Sequence, residues 1–195
     1  MSSMLDFIGA AILFGVLMLT IGRVQTNLND ARYQSTFNLQ TQWLAVELAR
    51  QIEFDFVKIG YHVKNENKII TATSHNLKYK ADIANINTPE TIEYLADSTN
   101  LVSATPNPKV YYLTRKNGSK TANQNFGLVR FALAYYDTAE ALVTPPITDS
   151  LRLASIRSIS VTFRVESKDR ALGGTDTTFY AVNWQKVIYP RNLNY

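Results

Sequence analysis

The chain has 195 residues, enough for one domain with a sizeable core plus an appendage, and no cysteine, which excludes disulfides and thiolate metal sites. Its formal net charge is +4 and its sequence pI is about 9.2. The basic residues are scattered with no dense cluster, so a solvated surface is expected rather than a nucleic-acid interface.

From Met4 to Gly22 the only charge is Asp6, and Phe7 to Ile21 is a run of apolar or small residues broken only by Thr20. At ~1.5 Å per residue the segment spans roughly 28 Å, about one bilayer core. Three readings compete for it. A cleaved secretory signal wants a basic start and a small-residue cleavage site; nothing basic precedes Arg23, and Ala10-Ala11 sits too early. A simple membrane anchor fits the length, and so does an anchor that later packs against copies of itself. Positive residues begin at Arg23, so the positive-inside bias favours a cytoplasmic head.

Between Arg23 and Ile59 there is neither Pro nor Gly. Apolar residues recur at Val24, Leu28 and Ala31, then at Phe37, Leu44, Leu48, Ile52, Phe56 and Ile59. Steps of three, four and seven mark an amphipathic helix. Gly60 is placed to stop it. The two halves are expected to form one rod from about Met4 to Ile59, with two helices hinged at Gly22 as the rival arrangement.

After Gly60 alternation replaces the helical period. Leu77, Tyr79, Ala81 and Ile83 alternate with polar residues; Ile92 and Tyr94 follow, then Val110 to Leu113. Val129, Phe131, Leu133 and Tyr135 are expected to share one face. Ile159, Val161, Phe163 and Val165 form the cleanest strand. Tyr180, Val182 and Trp184 make another, with a phase shift before Val187 and Tyr189 that suggests a bulge. Turn signals stand at Asn117-Gly118, Pro145-Pro146 and the hairpin candidate Gly173-Gly174, and the stretch from Ala139 to Ser150 reads as an exposed loop. A one-sided strand set needs a cover, and the stripe of Phe37, Leu44, Leu48, Ile52 and Phe56 supplies it. The expected fold is α+β: a long N-terminal helix, transmembrane in its first half, packed on an antiparallel β-sheet head. Residues 1–22 are the transmembrane half, 23–60 the amphipathic half and 61–195 the head.

Four segments resemble, in order, the type IV pilin-like superfamily, in particular W-type minor pilins and J-type pseudopilins. Ile52-Glu53-Phe54-Asp55-Phe56-Val57-Lys58-Ile59-Gly60-Tyr61 is similar to the end of their long helix. Val129-Arg130-Phe131-Ala132-Leu133-Ala134-Tyr135-Tyr136-Asp137 resembles their central strand, Ile156 to Val165 the next one, and Val187-Ile188-Tyr189-Pro190-Arg191-Asn192-Leu193 the closing one. The family's basic leader and cleavage motif, with a Glu five residues after the cut, have no counterpart in this sequence. If Met1 is trimmed, Asp6 becomes the fifth residue. The resemblance implies a pilin-like fold and a bacterial structural subunit that polymerises with itself or with related subunits.

A carboxylate at the edge of hydrocarbon is costly unless partnered, and the free amine of a neighbouring subunit would partner Asp6; the competing expectation is a head-group or helix-start acid. Small residues let helices approach closely, and Gly15 and Gly22 lie one heptad apart. The resemblance implies that helix is lost between them on packing; ordinary transmembrane glycines are the plainer reading. The expected subunit contacts are Asp6, Phe7, Gly9, Leu13, Gly15, Leu17 and Gly22. His62 and His75 make a poor metal site on their own. Glu53 and Asp55 are two apart on a helix and cannot act as a facing acid/base pair. No catalytic residue, metal or cofactor is expected.

The expected function is that of a filament subunit held in the cytoplasmic membrane before assembly and found in the periplasm or at the cell surface afterwards, with the bilayer, sister subunits and a membrane assembly machine as partners. The rival is an uncleaved single-pass protein whose β-head is a binding or accessory module.

Overall fold

The computed structural model describes residues 2–64, 66–103, 105–171 and 178–193. Its first element, α1, is a single α-helix over Ser2–Val57, 56 residues without interruption. At 1.5 Å per residue it is roughly 84 Å long. Gly22 does not hinge it. The helix ends two residues short of Ile59: residues 58–62 are turns, and Gly60 sits at φ +79°, where glycine alone avoids a Cβ penalty.

Among the described residues eight strands follow: β1 (Ile69–Ala72), β2 (Asn76–Ala81), β3 (Glu90–Leu101), β4 (Tyr111–Asn117), β5 (Lys120–Tyr136), β6 (Leu142–Val143), β7 (Ser158–Arg170) and β8 (Phe179–Ile188). They make one curled antiparallel sheet in the order β1-β2-β3-β4-β5-β7-β8, with β6 paired to the far end of β5. A short helix, α2 (Ser150–Ser155), leads into β7, with Asp149 as its N-cap, and a 3-10 turn at Arg191–Leu193 closes the described chain. The architecture is α+β.

The core forms where the last third of α1 lies on this sheet. Leu48, Ile52, Phe56 and Ile59 lose all solvent contact, in one cluster with Leu77, Tyr79, Ile92, Tyr94, Leu113, Val161 and Phe163. Burying each such side chain stabilises the fold by roughly 1.5–3 kcal/mol. Phe56 meets Tyr79 and Tyr94 edge-on, at centroid distances of 6.0 and 5.3 Å, the arrangement ring quadrupoles favour. The helix end is stitched to β2 by Gly60 N–H to Lys80 O (2.9 Å) and Asp82 N–H to Tyr61 O (3.1 Å). Lys58 Nζ adds a bond to Ile83 O (2.9 Å), and Lys68 Nζ one to Asn192 O (2.6 Å).

Three strand-level expectations need correction. Val129 does not share the face of Phe131, Leu133 and Tyr135: the β5–β7 register shifts between Leu128 and Arg130, and Leu128 takes the buried place. No bulge precedes Val187, because β7 and β8 pair without a break from Ile159↔Ile188 to Glu166↔Ala181. Lys186 stands on the helix-facing side and reaches Glu53 (2.8 Å), and this polar residue within the apolar alternation imitates a phase change. The stretch from Ala139 to Ser150 is more than a loop: it contains β6, and it buries Val143 and Ile147, the latter bridged to Ala72. Gly173-Gly174 lies outside the described residues.

Candidate assembly surface

The first thirty residues of α1 carry no head around them. A helix whose apolar side chains have no protein partner must bury them in lipid or in other chains, and this one is long and apolar enough to cross a membrane. Phe7, Leu13 and Leu17 are 76, 72 and 56% exposed. Asp6 is also exposed and lies just beyond the first turn of the helix, since α1 starts at Ser2. Among the described residues no side chain pairs with it.

Gly15 and Gly22 are brought together. They line a shallow groove on one face with Met18, Leu19, Arg23, Thr26 and Asn27. An added Cβ at Gly9, Gly15 or Gly22 would meet nothing within 4 Å, so the groove is open to a partner's backbone. Gly9 lies outside it. The helix is unbroken from Gly15 to Gly22, and the Thr20 and Thr26 hydroxyls donate to the carbonyls of Val16 (2.8 Å) and Gly22 (3.0 Å), one turn back.

The expected packing residues divide by height. Leu48, Ile52 and Phe56 are fully buried, Leu44 packs at the margin of the core, and Phe37 is half-buried. Phe37 and Leu44 stand with Thr41, Asn125 and Glu166 around a pocket under the head. There Asn107 donates to Glu166 (3.0 Å), whose other oxygen accepts from Arg164 (2.9 Å).

The spacing of apolar residues does not reveal the polar cluster that fixes the head on the rod. Asp55, 2% exposed, accepts from Arg115 Nε (2.7 Å) and from Tyr94 OH (2.5 Å). Gln51 donates to Tyr94 OH (3.2 Å) and exchanges two bonds with Gln124 (2.9 and 3.1 Å). Burial, reinforced by the Asp55 carboxylate, pushes the Tyr94 hydroxyl well above its ordinary value. Burial, the largest single influence, works against the Arg115 guanidinium, yet its hydrogen bonds to Asp55 and Tyr94 and their charges together outweigh it and raise its pKa. The signal in the sequence is an acid on the core stripe, between Ile52 and Phe56.

His62 is not isolated. Its Nδ1 donates to Asp82 (2.8 Å), which also accepts from the backbone N–H groups of Ile86 (3.0 Å) and Asn87 (2.7 Å). Burial alone would raise the Asp82 carboxyl; these three donors outweigh it and hold the pKa below the usual range. His75 stays exposed. Among the described residues no group of three His, Asp or Glu could hold a metal ion.

No protein-family model matches the chain, and no curated protein does.

Proposed function

We propose that the chain is a structural subunit of a type IV pilus-like or pseudopilus-like filament, related in design to the W-type minor pilins and J-type pseudopilins. One observation carries the reading: a single unbroken helix whose last third is clamped in a sheet while its apolar first part is bare. The bare part is stored in the cytoplasmic membrane. An assembly machine lifts the subunit out, and the same surface is buried again among sister helices in the periplasm or at the cell surface. At roughly 1.5–3 kcal/mol for each Leu or Phe buried, a dozen such side chains hold a polymer together. Asp6 meets the free amine of a neighbour, which neutralises both groups and sets the axial step.

Arg23 and Arg32, on the head side of the apolar segment, favour a second reading, a single-pass anchor carrying a β-domain that binds a partner and never polymerises. Electron microscopy of sheared surface fractions from the source cells separates the two. Filaments that react with antibody to the head support the subunit. Protein confined to the membrane, with no polymer on any cell, removes the filament. Asp6→Ala is expected to stay in the membrane and to be lost from filaments; an unchanged filament yield in that variant overturns the proposed role of Asp6.

A further inference from the structure

We infer that the face of α1 turned away from the head is a seam on which a second copy of this chain docks side by side in the membrane, before any filament forms. The inference rests on the membrane-anchored part of the reading above. The core side of the rod at head level is marked by Ala45, Leu48, Ile52 and Phe56. On the opposite side Leu39, Trp43, Val46, Arg50 and Phe54 follow one another at steps of four, three, four and four, a single helical stripe. Leu39, Trp43, Val46 and Phe54 are 62, 66, 46 and 56% exposed, although this part of the rod lies beyond the apolar segment. Ile21 and Leu28, both exposed, extend the line downwards. The face is therefore continuous with the surface already assigned to the membrane and to sister helices.

Lipid does not cover the upper stripe. The helix is unbroken past Gly22, so Leu39 stands roughly 25 Å above it, beyond the head-group layer. A second copy does fit. Anchoring gives neighbouring copies one polarity and one height, so the same stripe of each copy meets in parallel, with a two-fold seam along which stripe and flank positions face each other. The charges agree with this: Arg50 lies on the stripe and Glu47 on its flank, both exposed and neither in an ion pair among the described residues. Across a two-fold seam, Arg50 of each copy meets Glu47 of the other.

A chain without cysteine suits the test. Full-length Val46→Cys is made in the membrane of a host lacking any assembly machine and mildly oxidised. A disulfide-linked dimer is expected, several-fold stronger than that of Leu151→Cys, whose residue is exposed on α2 away from the seam. Adding Trp43→Asp to Val46→Cys is expected to abolish the dimer while the thermal unfolding of the head stays unchanged. A Val46→Cys dimer no stronger than the Leu151→Cys one overturns the seam, whether or not filaments form in the source cells. A fluorescent probe on the thiol of Val46→Cys that a lipid-soluble quencher reaches in monomeric protein overturns it too, in favour of the bilayer. A strong dimer with no filament in the source cells leaves the seam standing and removes the polymer reading alone.

Discussion

Arg115 Nε donates to Asp55 Oδ2 across 2.7 Å, joining the final turn of the rod to the middle of β4, 60 residues further along the chain. Removing one member of such a pair strands the other. Asp55→Asn is therefore expected to destabilise the full chain in detergent by about 3 kcal/mol, whereas Asp55→Asn with Arg115→Met loses less than the two single changes summed. Urea unfolding followed by tyrosine fluorescence measures both; strictly additive losses would show that the pair is not coupled.

Phe54 and Phe56 are two residues apart and have opposite fates. Phe56 is fully buried, and Phe54 is exposed with Lys58 Nζ 4.4 Å from its ring centre. Phe56→Ala is expected to cost about 3–5 kcal/mol, from lost burial plus a cavity under Tyr79 and Tyr94. Phe54→Ala should stay within about 0.5 kcal/mol of the parent. Equal losses in thermal melts would contradict the placement of the helix on the sheet.

Gly127 stands at φ +73°, and an added Cβ would come within 2.4 Å of the Glu166 carbonyl oxygen on β7. At Gly60, also at positive φ, the nearest atom is the flexible Lys68 side chain. Gly127→Ala should therefore lose clearly more than the roughly 1–2 kcal/mol expected from the left-handed backbone alone, and more than Gly60→Ala. Chemical denaturation of the two variants side by side decides it.

The Asp82 carboxyl is held below its unfolded value, so folding gains stability from it above the unfolded pKa and loses that stability as pH falls through the lower, folded one. His62→Ala removes one of its three donors and should move the folded pKa of Asp82 upwards, so that the acid-side loss starts at higher pH. Carboxyl chemical shifts through an acid titration read this directly; an Asp82 midpoint unchanged in the variant would exclude His62 as a cause.

The rod was legible because thirty-six residues without Pro or Gly, from Arg23 to Lys58, leave a helix little alternative. The interior strands were legible where one face is buried and the other polar, as from Ile159 to Val165. What escaped was set by contacts between distant segments. Lys186 stands on the helix-facing side of β8, exposed, where Glu53 meets it, and no local pattern announces that. Val129 falls out of phase because the bulge is a property of two paired strands. Leu142, Val143 and Ile147 hide in a segment rich in Pro and Thr, and β5 and β1 recruit them into the sheet. The bare apolar segment was read directly from composition, whereas Asp55 was passed over as a catalytic non-starter and turned out to anchor the head.

The contact between α1 and the sheet runs from Thr41 to Val57 along the axis of the rod, about 24 Å. A tug on the N-terminus would therefore load that whole patch in shear, so that Leu48, Ile52, Asp55 and Phe56 must yield together. Strands peeled one at a time would give way at far lower force. A head seated in this manner can be dragged by its stem without coming off.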